Sequence, residues 1–329
     1  MHERPTITIT GPADAVAAVP YVLGFHPSDS LVAIGTRAGG PLFARLDAPD
    51  AADRDARKRS LLDVLSRNNV RVVILLGYGT DDLSPTLAML ADALEGAFEV
   101  PHVLRVEGDR FWRLDRQESR WCPRDGEPFD SAATVVAARA TFAGLVARSS
   151  RAELLADLAP VGGEDRDWMR AETERAEAKF LSLPRAVLVE RGLDLVRNLI
   201  EVDRRLTDRE AARLTVALSD LRIRDDALVR ITHLDQRQQG RLWRDLTRRA
   251  ERAYVAAPAT LLAYQSYING DGAMVNVALD RALEASPGYL LARLISQCVA
   301  LGMPPEAVAL TGRTPEWLAR ELGETRDES

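Results

Sequence analysis

The stretch Val70–Gly79, VRVVILLGYG, decides how the rest of the chain is read. From Val72 to Leu76 every position is apolar, where a half-exposed strand would alternate. That is the pattern of a strand covered on both faces, so it is expected at the centre of a sheet. On its N-terminal side, Arg54–Asn68 sets Leu61, Leu62 and Leu65 at helical spacing. Further upstream, SLVAIG (Ser30–Gly35) and PLFARLD (Pro41–Asp47) flank Arg37-Ala38-Gly39-Gly40, whose glycines permit positive φ. These runs are expected to form a hairpin turning at Ala38-Gly39, with Arg37 opposite Gly40, Val32 opposite Arg45 and Ser30 opposite Asp47. At the N-terminus, TITIT (Thr6–Thr10) alternates as a strand does, and GPADAVAAVPYVLG reads as a short helix that Pro20 starts or interrupts. On the C-terminal side, Ser84-Pro85 supplies the cap and first-turn proline of a helix to about Phe98. A strand at His102–Val106, a ribbon through Arg110–Cys122 and a helix at Asp130–Val146 follow.

After about residue 160 the strand signals stop. Gly162-Gly163, in a polar stretch, is the expected boundary between an α/β (or α+β) sheet domain at 1–160 and an all-α domain at 165–329. Thr207-Asp208-Arg209-Glu210 is a capping-box pattern, and Leu242, Trp243, Leu246, Ala250, Ala253 and Tyr254 mark one apolar helical face. Near the end, Leu262, Ala263, Gly270, Leu279, Ala282 and Pro287 fall where a tetratricopeptide-type unit sets its large, small, turn and terminating residues. Two readings stay open: a tetratricopeptide-like helical hairpin, or an ordinary hairpin inside a bundle.

Composition excludes several classes. With 329 residues, 46% of them hydrophobic, the chain can bury a core, and no apolar run approaches the ~20 residues of a membrane span. No targeting segment is seen at the N-terminus, and two cysteines, Cys122 and Cys298, give no disulfide framework, so a cytoplasmic chain is expected. Only Lys58 and Lys179 among 43 basic residues are lysine, a skew that reads as coding bias rather than as a set of anion sites. A net charge of −6 gives no reason to expect nucleic acid as a partner. Arg204–Arg252 carries 13 arginines against 8 acids, but the acids are interleaved as in a solvated, salt-bridged face. No phosphate-loop, nucleophile-elbow or zinc-protease motif occurs, and His2, His26, His102 and His233 are dispersed, so neither cofactor nor metal is expected. Cys122, between Arg120 and Arg124, lacks an identifiable base.

Two groups of residues remain as candidate sites. The hairpin register would gather His26, Asp29, Ser30, Arg45 and Asp47 at one end of the sheet, either as a binding or acid/base pocket or as turn-capping and surface residues. The loop Gly77, Gly79, Thr80, Asp81 and Asp82 follows the central strand, where open sheets hold ligands. Its adjacent acids repel a pyrophosphate; Asp81 and Asp82 could instead hold a hard cation, but acids also suit a helix start without any ligand.

Four segments carry a resemblance to a known family: VPYVLGFHPSDSLVAIG (Val19–Gly35), ARLDAP around Arg45 and Asp47, the WCPRDGEP turn, and GDGAMVNVALDRALEASPGYLLARL (Gly270–Leu294). Together they resemble the actinobacterial domain of unknown function family 4192. The resemblance implies a bacterial cytoplasmic setting and a recurring architecture, and brings no reaction or catalytic residue. The expectation is therefore a non-catalytic interaction or regulatory scaffold, contacting a protein partner or a second copy of itself. The alternative is a small-molecule sensor or enzyme with its pocket near His26 and Asp47.

Overall fold

The computed structural model describes residues 9–37, 40–48, 53–80, 82–114, 125–131, 133–142, 146–180 and 182–322. The chain forms two compact units, Met1–Leu154 with Val299–Pro304, and Leu155–Cys298 with Pro305–Ser329.

The first unit runs α1 (Pro12–Leu23), β1 (Ser30–Thr36), β2 (Leu42–Asp47), α2 (Arg54–Arg67), β3 (Val72–Tyr78), α3 (Ser84–Leu94), β4 (Glu99–Glu107), β5 (Arg110–Arg113), β6 (Glu127–Pro128) and α4 (Val135–Phe142), with α5 (Arg151–Ala156) at its end. Six strands lie in the order β2-β1-β3-β4-β5-β6, with only β3–β4 parallel. The VRVVILLGYG strand is central and covered on both faces. Leu31, Ala33, Val73, Leu75 and Val103 meet Leu61 and Leu65 of α2 and Leu87, Leu90 and Leu94 of α3. The approach of α3 is close at Gly77, where an added Cβ would stand 2.9 Å from Leu87 Cδ1. On the other face lie α1 and α4, with Ala17 and Ala18 packed against Val136.

The hairpin forms, pairing Ser30 with Asp47 and Val32 with Arg45, while Gly40 N donates to Arg37 O at 3.2 Å. Its turn residues, Ala38 and Gly39, lie outside the described residues, as do Thr6, Ile7 and Thr8; Ile9 and Thr10 are in no strand. The helix after Ser84-Pro85 stops at Leu94 instead of Phe98, because Gly96 at φ +90° turns the chain. The Asp130–Val146 helix is likewise shorter, Val135–Phe142.

Pro20 corrects a sequence expectation, since it neither starts nor interrupts α1 but sits buried inside it. Proline has no N–H to offer the carbonyl one turn back, which leaves Val16 O without its helical donor. The buried Tyr78 hydroxyl donates to that oxygen at 3.4 Å, so a strand side chain completes the helix. Burial also pushes the Tyr78 phenol well above its ordinary pKa, which keeps it a donor. Tyr78→Phe is expected to leave the carbonyl unsatisfied and lower the stability of this unit by about 1–2 kcal/mol in urea unfolding.

The second unit is helical: α6 (Gly163–Phe180), α7 (Arg185–Leu199), α8 (Asp208–Ala217), α9 (Leu221–Ile231), α10 (Gln236–Arg249), α11 (Ala256–Ile268), α12 (Gly272–Ala285), α13 (Leu290–Ala300, whose last two residues belong to the first unit), α14 (Pro305–Val308) and α15 (Pro315–Glu321). Twelve consecutive residues of α11, Ala256–Tyr267, are buried, so this helix is covered all round. Asn269 and Gly270 turn the chain into α12, whose Leu279 and Ala282 face inward. On α10, Leu242, Trp243 and Leu246 are buried as expected, whereas Ala253 is exposed because the helix ends at Arg249. The buried Trp243 indole donates to Gln239 Oε1 at 2.9 Å.

Thr207 and Glu210 form the capping box at the start of α8. Glu210 also takes two bonds from Arg204, each at 2.8 Å, and these, with the Thr207 donors, hold its carboxyl down to about 2. A lowered folded pKa stabilises the fold above the ordinary value of 4.5, and that contribution is lost as pH falls toward about 2. Glu210→Gln is therefore expected to flatten the acid limb of a stability–pH curve between these values, with little further loss below it.

Candidate functional site

The hairpin register sets Ser30, Arg45 and Asp47 on one face at one end of the sheet, since alternate strand residues share a face. Ser30 is fully buried; its hydroxyl donates to Ser28 O at 2.5 Å and accepts from Arg45 Nε at 3.1 Å. Arg45 Nη2 pairs with Asp47 Oδ1 at 2.7 Å, and the guanidinium lies 5.6 Å from the Phe25 ring centroid. The arginine thus ties β2 to β1 and has its counter-charge on its own strand. His26 and Asp29 are exposed. Backbone bonds hold them: His26 N donates to Arg148 O at 2.9 Å, and Asp29 O accepts from Ala48 N at 2.8 Å. Asp29 sits at φ +43°, a left-handed conformation that aspartate tolerates better than most residues. Among the described residues the His26 imidazole makes no hydrogen bond or ion pair, so no carboxylate lies in the 2.6–3.2 Å reach that an acid/base pair needs.

Because β1 pairs with β3, the second candidate loop comes beside the first. Gly79 lies so close that an added Cβ would stand 3.1 Å from Asp29 Oδ1. The two groups nevertheless use opposite faces. Tyr78, the register partner of Ser30, points to α1, whereas its neighbour Gly77 packs on Leu83 and Leu87. Gly77 is buried and Thr80 exposed, and Asp81 lies outside the described residues. Asp82 precedes α3, whose N-cap is Leu83, and accepts from Ser84 N at 2.9 Å; the Ser84 hydroxyl and amide, and then Arg105, hold its carboxyl below the ordinary range.

Sequence reading missed the third component, Arg105. Its Nε stands 3.9 Å from Asp82 Oδ1, its Nη2 pairs with Glu107, and it lies 4.6 Å from the Trp112 ring centroid. An added Cβ at Gly126 would meet the same indole at 2.7 Å, so Trp112 is sandwiched between Arg105 and Gly126. The only early signal was alternation, with Arg105 and Glu107 on one strand face; the cross-strand partner Trp112 needs the β4–β5 register.

Other candidates fall away from these groups. No set of three or more His, Cys, Asp or Glu suited to a metal occurs among the described residues. Cys122 and His2 lie outside them, Cys298 is a free, half-buried thiol, and His233 Nε2 bonds Arg313 O at 2.7 Å. In the arginine-rich stretch, Arg204 pairs with Glu210, Arg205 with Asp245, Arg241 with Asp203, and the buried Arg249 with Asp208 and Asp245. None of the described helices is long and apolar enough to cross a membrane.

Several large apolar side chains of the helical unit are exposed, among them Trp168 and Leu221, and α13 carries two of them on one face. On α13, Ala292 and Ile295 are buried, while Leu290 and Leu294, one turn apart, are 67% and 49% exposed. A family model described as a domain of unknown function (DUF4192) matches residues 12–306. No curated protein and no solved structure matches the chain.

Proposed function

We propose, from the premise that the chain belongs to the DUF4192 family, that the protein is a non-catalytic interaction scaffold that associates through its helical unit. The observation that carries this reading is the exposed Leu290–Leu294 pair. Burying two leucine side chains is worth about 1.5–3 kcal/mol each, and an outward pair on a helix whose other side already packs inward is the surface such a contact uses. The sheet-end charges support the same reading, because Arg45 and Arg105 already have carboxylate partners. As for α11–α12, the burial of Leu262, Ala263, Leu279 and Ala282 suits a tetratricopeptide-like pairing. Since α11 is enclosed, our proposal assigns the contact to α13 and not to that hairpin.

The simplest partner is a second copy, because an isologous contact needs only one surface. Sedimentation velocity of the full chain should give a mass that rises with concentration. Leu290→Asp with Leu294→Asp should hold it at the monomer with its far-ultraviolet circular dichroism unchanged, and should remove any concentration dependence of the melting midpoint. A wild-type chain that stays monomeric throughout would refute self-association.

One observation favours the alternative of a small-molecule sensor or enzyme: Asp29 in its left-handed conformation, backed by Gly79, beside an outward His26. Under the scaffold reading, His26→Ala changes stability by no more than about 0.5 kcal/mol and alters no ligand response. A metabolite whose stabilising effect disappears in His26→Ala would favour the alternative.

A further inference from the structure

Beside α2 lies a depression of about 370 Å³, open to solvent. Ala56, Arg59, Ser60, Asp63, Val64 and Arg67 line it with Ala300 of the Val299–Pro304 segment in the same unit, and all but Val64 are exposed. Asp63 is four residues from both Arg59 and Arg67, the spacing at which helical ion pairs form. Neither pair forms among the described residues: Arg59 Nε donates to Asp55 O at 3.3 Å, and Arg67 has no partner there. Arg45, Arg105, Arg113, Arg204 and Arg249 each meet a carboxylate, whereas Arg59 and Arg67, like the exposed Arg237, form no ion pair among the described residues. Two guanidiniums that form no ion pair among the described residues, one of them close enough to Asp55 to help lower that carboxyl, therefore border the same depression with a hydroxyl donor and one carboxylate acceptor.

We propose that this depression binds a compact phosphate-type oxyanion. Arg59 and Arg67 would donate to its ionised oxygens and Ser60 would donate its hydroxyl proton to another. Asp63 repels an anion that carries no proton, but accepts a hydrogen bond from the P–OH of a hydrogen phosphate. The site therefore selects phosphate over sulfate, which holds no proton near neutral pH.

The test is calorimetric titration of the full-length chain with inorganic phosphate and, separately, with sodium sulfate. Phosphate should bind saturably and at least about tenfold more tightly than sulfate. Arg59→Gln with Arg67→Gln should weaken phosphate binding by about tenfold or more, while Arg237→Gln, an exposed arginine of the helical unit, leaves it unchanged. In Asp63→Asn the two anions should bind within about twofold of each other. Circular dichroism and melting of these surface variants check that they remain folded. Absence of saturable phosphate binding, sulfate binding as tight as phosphate in the wild type, or affinity unaltered by the double arginine change would each overturn the proposal.

Discussion

Asp226→Ala is expected to destabilise the helical unit by about 3–5 kcal/mol, the cost of taking a buried carboxylate away from the guanidiniums it faces. Asp226 is 3% exposed and stands between two arginines of its own helix. Arg222 Nη1 lies 3.5 Å from one carboxylate oxygen and Arg230 Nε 2.6 Å from the other. Arg222 is itself buried, so water cannot take over the role of the carboxylate. Asp226→Asn keeps the shape and a hydrogen-bond acceptor but removes the charge, and should fall between wild type and alanine. Urea unfolding followed through the helical unit measures the difference, and a loss under 1 kcal/mol for alanine would show that the guanidiniums find other partners.

Gly192→Ala should destabilise by about 2–3 kcal/mol, the range for overpacking a filled core. On an open helical surface the same change stabilises, by roughly 0.8–1.0 kcal/mol of helix propensity, so the sign decides between the two environments. At Gly192 the added Cβ would stand 2.0 Å from Ile223 Cδ1, where α7 crosses α9. Ile223 is fully buried, and its Cγ1 would also lie only 2.7 Å from the added Cβ. Combining Gly192→Ala with Ile223→Val removes the clashing methyl group, and the pair should cost less than the sum of the single changes. Strict additivity would show that the two residues do not meet.

Features written locally in the chain were legible. The Ser30–Asp47 register follows from two strand-like runs and a glycine-bearing link, the central strand from its unbroken apolar run, and the Thr207–Glu210 cap from residue types three apart. Contacts that depend on tertiary closure were not. Pro20 reads as a breaker because nothing nearby reveals that Tyr78, from a strand, will serve Val16 O. The Arg204–Arg252 stretch reads as a solvated face because spacing shows that arginines can pair with acids, not that α9 and α10 will bury Arg222, Asp226 and Arg249. At the candidate site, the register brought Ser30, Arg45 and Asp47 together. The opposite facing of Gly77 and Tyr78 then separated them from Asp82 and Arg105, a division invisible in a list of nearby residues.

Amide hydrogen exchange of the intact chain, at low and high protein concentration and with a small-molecule cell extract added, tests the central claim most directly. The scaffold account predicts that α13 gains protection as concentration rises, while residues 26–30 and 79–82 exchange alike with and without the extract. Slowed exchange at those two loops on adding the extract, with α13 indifferent to concentration, would contradict it.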